Sequence, residues 1–318
     1  MGELTKAVVI TGATGMIGIA LIRKLTKENL RIYAIVNPDS KRIANIPKQD
    51  NVTVVECGLD EISRLPKKIG EKIEIFFHLA WGGTYGDARN DMSVQTENIC
   101  AAVKAVKAAH ELGCTTFLGV GSQAEYGRKS GKLSPDTPAF PENGYGMAKL
   151  CAGQMTRVMC SQLSMRHIWC RILSVYGPFD AARTMVMSGI VKLLNGEKPS
   201  YTKGEQQWDY LYCDDAANAL YLAAAKGIDQ SVYCIGSGQT RALAEYITAI
   251  RNAVDPKLEI GIGEIPYSEN QVMYLCADID SLKRDTGFEP TVTFEEGICR
   301  TVEWAEKYFS SSDGRLTL

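Results

Sequence analysis

Tyr145 and Lys149 stand four residues apart in Tyr145-Gly-Met-Ala-Lys149. On a helix this spacing puts both side chains on one face, with Cβ atoms about 5–6 Å apart. A free tyrosine has a pKa of about 10, so at neutral pH it is a poor base and a slow acid. A fixed ammonium beside it favours the phenolate and moves that pKa toward working pH. The pair is therefore a candidate proton-transfer device. The same spacing also arises in helices with no such role, so its neighbours in the chain decide its meaning.

Those neighbours begin at the N-terminus. Ala7-Val-Val-Ile-Thr11 is a short β-branched run, as expected of a buried parallel strand. It leads into Gly12-Ala-Thr-Gly15-Met-Ile-Gly18, then into a helical stretch from Ile19 to Leu25. Glycines in such a turn let the backbone approach a pyrophosphate, and the helix N-terminus offers free N–H groups and partial positive charge.

The Gly-x2-Gly-x2-Gly turn together with Tyr-x3-Lys resembles the short-chain dehydrogenase/reductase superfamily. Further segments resemble its extended branch, the NAD(P)-dependent epimerase/dehydratase family acting on nucleotide sugars. They are Phe77-His-Leu-Ala80, Val120-Gly-Ser-Gln-Ala-Glu-Tyr-Gly127, Arg171-Ile-Leu-Ser-Val-Tyr-Gly-Pro178, Trp208-Asp-Tyr-Leu-Tyr-Cys-Asp-Asp215, and Ala277-Asp-Ile-Asp-Ser-Leu-Lys283 followed by Gly287-Phe-Glu-Pro290. The likeness runs from about Lys6 to Tyr308. It implies a catalytic set of Ser122, Tyr145 and Lys149. Ser122 would bind the substrate oxygen, Tyr145 would exchange a proton with it, and Lys149 would hold the nicotinamide ribose and tune Tyr145. Cofactor contacts implied in the same way are Gly12, Thr14, Gly15, Met16, Ile17, Gly18, Leu59, Leu79 and Ala80, besides Tyr145 and Lys149. Substrate contacts would be Trp81, Ser122, Gln123, Tyr145, Ser174 and Trp208.

Composition is consistent with one large core or two joined lobes: 318 residues, 45% hydrophobic and 23% charged. A net charge of −2 gives no electrostatic footprint for nucleic acid or a membrane surface. No apolar stretch reaches bilayer length, and the Met1–Lys6 start has no signal-peptide pattern, so a cytoplasmic location is expected. Ten cysteines without Cys-x2-Cys spacing and only three histidines argue against a metal cage. Most of the cysteines, such as Cys170 and Cys234, read as reduced core residues. The tail from Ser310 reads as loose.

Strand-like runs alternate with helical ones, which predicts an α/β fold with a doubly wound parallel (Rossmann) sheet and a smaller C-terminal α/β substrate lobe. Strands are expected at 7–11, 31–36, 52–57, 75–79, 115–119, 168–174 and 232–235. Helices are expected at 17–28, 92–112, 144–163, 184–195, 242–254 and 294–308. The cofactor domain would comprise 1–177 plus about 208–238, and the substrate lobe about 178–207 and 239–310. Ligands should lie beyond the carboxyl ends of the strands, between the lobes. Alanines and glycines at 101, 102, 105, 108, 109, 148, 152 and 153 permit close helix packing, and the resemblance implies a homodimer built on the helices 92–112 and 144–163.

Cofactor choice is read at the end of the second strand. There Asn37-Pro-Asp-Ser40-Lys41-Arg42 sets a neutral residue, a hydroxyl and two cations where NAD enzymes place an acid, which suits the 2′-phosphate of NADP. Gly58 stands where relatives of the resembled family carry an adenine-binding acid beside Leu59, leaving Asp60 to replace it.

Departures from sister patterns narrow the chemistry. Gln123 and Ala124 replace the Asp-Glu pair of dehydratases, and Phe179 follows Pro178 where 3,5-epimerising members have His. Ser174 and Trp208 stand where many members carry Asn and Arg. What remains is hydride chemistry at one carbon of a nucleotide-diphosphate sugar, with NADP-dependent 4-keto reduction expected. Two alternatives stay open: a 4-epimerase with tightly bound NAD, and a silent NADP-binding scaffold.

Overall fold

The computed structural model describes residues 6–309; the expectations placed on residues 1–5 and on the tail from Ser310 lie outside them. The first half of the chain runs β1 (Ala7–Thr11), α1 (Met16–Thr26), β2 (Arg31–Val36), β3 (Val52–Glu56), α2 (Leu65–Ile69), β4 (Ile75–His78), α3 (Met92–Glu111), β5 (Thr116–Ser122), α4 (Gly144–Gln162), β6 (Arg166–Ile172) and β7 (Ser174–Tyr176). The second half runs α5 (Met185–Leu194), β8 (Ser200–Tyr201), β9 (Gln207–Trp208), β10 (Tyr210–Tyr212), α6 (Cys213–Lys226), β11 (Ser231–Ile235), β12 (Arg241–Ala242), α7 (Leu243–Val254), β13 (Gly261–Ile262), β14 (Tyr274–Leu275), α8 (Asp280–Thr286) and α9 (Phe294–Phe309).

Seven parallel strands form the central sheet in the order β11-β6-β5-β4-β1-β2-β3. Both faces are covered. In β1, Val8 and Ile10 point into one core with Leu21 and Leu220, while Ala7 and Val9 point into the other with Val106 and Leu112. That double burial explains why these strands read as unbroken apolar runs. Seven further short strands pair outside it, β10 with β7, β13 with β8, and β9 between β12 and β14.

Two strand boundaries near the site and one helix differ from the sequence reading. β5 continues past Gly119 to Ser122, because Val120, Gly121 and Ser122 pair with Cys170, Arg171 and Ile172 of β6. The strand expected through Ser174 stops at Ile172, and Ser174 starts β7, where it faces Tyr210 of β10. Helix α6 was not anticipated. Its alanines lack the contrast of an amphipathic stripe because Ala216, Ala217, Ala219, Ala223 and Ala224 are all buried, next to α1.

Asp209, wholly buried, ties the later segments together. Its carboxylate accepts from the backbone N–H groups of Ser237, Gly238 and Ala277 at 2.8–3.1 Å. The small residues of α3 and α4 are spent inside the protomer rather than offered to a partner. Ala101, Ala102, Ala105, Ala108, Ala109, Ala148 and Ala152 are buried, and a Cβ on Gly153 would sit 2.8 Å from the Trp169 ring. The solvent face of α4 carries instead Met147, Cys151, Met155 and Val158.

Candidate active site

Ser122 ends β5 and opens a short turn, Gln123–Glu125. Its Oγ accepts from the Ala124 N–H at 3.2 Å, and the Glu125 carboxylate accepts in return from the Ser122 N–H at 2.9 Å. This reciprocal cap fixes the serine backbone at the sheet edge. Helix α4 starts on the Asn143 side chain, which accepts from Gly146 N–H at 2.9 Å. One step inside the helix, Tyr145 comes within reach of Ser122, which draws its pKa down.

Burial outweighs that pull and leaves Tyr145 above the ordinary tyrosine value, so its hydroxyl carries its proton at neutral pH. Arg89 also lowers it, while Glu125 and Tyr85 raise it. The guanidinium of Arg89 lies over the Tyr145 ring, 4.4 Å from its centroid.

Lys149 departs from the sequence expectation. Its ammonium donates to the Val120 carbonyl at 2.6 Å and lies 3.9 Å from the centroid of the Trp81 ring, but 5.9 Å from that of Tyr145. Burial holds its pKa down to about 7, opposed by Glu125. Between about 7 and the ordinary lysine value of 10.5 the unfolded chain binds a proton that the folded one does not, so stability rises with pH across that window. Below it the folded protein carries the full penalty. Lys149→Met is therefore expected to raise the unfolding free energy of the cofactor-free protein by about 1–4 kcal/mol below neutral pH. Urea unfolding at acidic and alkaline pH should show that gain shrinking as pH rises.

Beneath Ser122 lies a buried charge pair. Arg171 donates to Glu125 at 2.7 Å, with side-chain exposures of 5% and 0%, and the Trp169 indole N–H donates to the same carboxylate at 3.1 Å. Glu125 thus faces into the protein, its oxygens already occupied.

A cavity of about 1360 Å³ opens at the carboxyl ends of β1–β4. Gly12, Thr14, Asn37, Ser40, Lys41, Arg42, Leu59, Ala80 and Trp81 line it. Gly15, Met16, Ile17, Gly18 and Leu79 sit around the turn without lining it, and Tyr145 and Lys149 are covered, Lys149 against the Trp81 ring. The turn has the shape a dinucleotide needs. Gly12 has φ +70°, and a Cβ there would be 2.8 Å from Ala80 N; one on Gly18 would be 2.3 Å from Gly12 O. The first turn of α1 carries no side-chain cap and no acid, so its N–H groups stay available to a phosphate. At the far end Asn37 Oδ1 accepts from Asp39 N–H and Ser40 Oγ from Arg42 N–H. Asp60 folds back so closely that a Cβ on Gly58 would lie 2.4 Å from its Oδ1. The residues present fit a nicotinamide dinucleotide. A second cavity of about 740 Å³ opens at the amino ends of β1, β4, β5 and β6, near Lys6 and Arg166, away from this chemistry.

On the other side, Trp208 Nε1 donates to Ser174 Oγ at 2.9 Å. The two positions that depart from the resembled pattern are thus hydrogen-bonded to each other. Gln123 lies in the turn after Ser122. Sequence reasoning missed Arg89, Glu125 and Arg171. Glu125 was visible inside its motif, yet only the β5–β6 register shows that it meets Arg171.

Among the described residues no group of three or more His, Cys, Asp or Glu could hold a metal, and no helix is long and apolar enough to cross a membrane. The sequence model of the NAD dependent epimerase/dehydratase family matches residues 8–236. A dTDP-glucose 4,6-dehydratase of Xanthomonas campestris is 28% identical over 201 residues, 59% of this chain and 57% of that protein, so the aligned part spans little more than half of that relative. A dTDP-4-dehydro-6-deoxyglucose reductase of Escherichia coli is 24% identical, covering 95% of this chain and 98% of its own. The fold superposes on a UDP-glucose 4-epimerase of Thermotoga maritima with a TM-score of 0.85 at 23% identity, over 95% of this chain and 99% of that one.

Proposed function

The chain belongs to the NAD-dependent epimerase/dehydratase family, and on that premise we propose that it is an NADP(H)-dependent reductase of a 4-keto nucleotide-activated sugar, with Tyr145 as proton donor. The observation that carries this reading is the grouping of Ser122, Tyr145 and Lys149 behind Trp81, which lines a cavity that also holds Asn37, Ser40, Lys41 and Arg42.

In the proposed reaction Ser122 hydrogen-bonds the substrate oxygen at the reacting carbon. Tyr145 gives that oxygen its proton, which burial keeps in place at neutral pH. Lys149 secures the nicotinamide ribose, and Gly12, Thr14 and the open N-terminus of α1 receive the pyrophosphate. The bound nicotinamide would supply the hydride. Dehydration is disfavoured because Gln123 and Ala124 offer no acid or base, and Glu125, the carboxylate of that turn, is turned inward onto Arg171.

The cofactor domain would be 1–177 plus about 208–238, and residues about 178–207 and 239–310 would bind the sugar nucleotide, with Trp81, Gln123, Ser174 and Trp208 facing it. A homodimer would use the exposed apolar stripe Met147, Cys151, Met155 and Val158 of α4, spaced on one helical face. The proposed setting is the cytosol, where unpaired cysteines stay reduced.

Calorimetric titration of cofactor-stripped protein with NADPH and NADH at fixed ionic strength tests the cofactor half of this reading. A preference for NADPH of about 10–100-fold is expected, the size of one charge-assisted hydrogen-bond set. Arg42→Gln should remove most of it. NAD that cannot be stripped, or a preference for NADH, would instead favour 4-epimerisation. Binding of NADPH with no turnover of any 4-keto nucleotide sugar would favour the silent scaffold.

A further inference from the structure

The cation nearest the Tyr145 ring is Arg89 rather than the lysine of the Tyr-x3-Lys pair. The Arg89 guanidinium lies 4.4 Å from the ring centroid, whereas the Lys149 ammonium is 5.9 Å away and already committed to the Val120 carbonyl. Arg89 makes no ion pair among the described residues.

Its position is built rather than incidental. Arg89 Nη1 donates to the Thr84 carbonyl at 3.0 Å. The loop that bears it is pinned by two buried amides: Gln95 donates to the Gly83 and Ala88 carbonyls at 3.0 and 2.9 Å, and Asn98 exchanges bonds with Gly82 at 2.8 and 2.9 Å. Asn90 accepts from the Gly144 N–H at 2.9 Å, at the start of the helix that carries Tyr145. A Cβ on Gly144 would come within 3.0 Å of the Arg89 carbonyl. Loop and helix are therefore locked together with the guanidinium against the ring.

We propose that Arg89 is a positioning residue for Tyr145, a permanent cation held against its ring that eases loss of the hydroxyl proton as that proton passes to the substrate. This rests on Tyr145 being the proton donor. When the proton leaves, Tyr145 is left as a phenolate, and a later proton from solvent restores it. A guanidinium stays charged at every working pH, so it steadies that phenolate throughout. A buried lysine whose charge is costly does so less dependably. The other groups facing Tyr145 are Ser122 at the end of β5, Glu125 from the turn after it, Tyr85 from the same loop as Arg89, and Lys149 from its own helix. Glu125 and Tyr85 oppose ionisation, which leaves Arg89 and the Ser122 hydroxyl to favour it.

The test reads Tyr145 directly. Protein labelled with carbon-13 at tyrosine Cζ and loaded with whichever oxidised nicotinamide dinucleotide it binds is titrated by NMR, with Tyr145→Phe identifying the resonance. Arg89→Gln is expected to raise the titration midpoint of Tyr145 by about 1–2 pH units. Arg89→Lys, which keeps a charge and guards against a folding artefact, should fall between. An unchanged midpoint overturns the proposal. So does a higher KM for substrate with the midpoint unmoved, which would place Arg89 on the substrate. Turnover that survives in Tyr145→Phe would sink the proton-donor reading separately, whatever the midpoints show.

Discussion

Tyr145→Phe is expected to lower kcat by roughly 10²–10⁴-fold, the usual worth of a positioned proton donor. Cofactor affinity should stay close to that of the parent, because the ring that contacts Arg89 and Trp81 is kept. The pH profile carries the same information. With its pKa raised by burial, Tyr145 holds its proton through neutral pH, so reduction should decline only as pH climbs through the alkaline range. The reverse oxidation needs the phenolate and should gain over that range. Stopped assays in both directions would check the pair of slopes. A Phe variant with parental kcat would remove Tyr145 from the chemistry.

Glu125→Ala should be the most damaging change to stability, costing about 3–5 kcal/mol. Arg171 would be left 4% exposed with its buried anion removed, and the Ser122 and Trp169 N–H groups would lose their acceptor as well. Exchanging Glu125 and Arg171 together for apolar residues of similar volume should cost far less, since what hurts is the orphaned charge rather than the loss of the pair. Denaturant unfolding of the single and double variants would show it as a strongly non-additive cycle. An Ala variant within about 1 kcal/mol of the parent would mean that water reaches this pair.

How much of this was legible in the sequence depended on distance along the chain. The glycine turn, Ser122 and the Tyr145–Lys149 spacing are local patterns, and a local pattern fixes which atoms share a turn or a helix face. Parallel strands made of unbroken β-branched runs announced a sheet buried on both sides. The partners of those residues were another matter. Arg171 meets Glu125 across 46 residues, through the pairing of β5 with β6. Arg89 reaches Tyr145 only because Gln95, Asn98 and Asn90 fold the intervening loop onto α4. Spacing placed Lys149 beside Tyr145, yet it could not foresee that the ammonium would turn to Val120 and Trp81. The small residues of α3 and α4 were ambiguous in a similar way. They mark close packing, and nothing local says whether that packing lies within a protomer or between two. Helix α6 was overlooked because a helix buried on most of its surface has no polar stripe to betray its period.

The most direct measurement follows the hydride. Reduced dinucleotide deuterated on the transferable position of the nicotinamide would be mixed with 4-keto nucleotide sugars made in place by a 4,6-dehydratase, and the products read by mass spectrometry and NMR. The account predicts one cofactor consumed per sugar reduced, with deuterium at C4 of the sugar. Interconversion of 4-epimers with no net consumption of cofactor would contradict it and make the protein an epimerase.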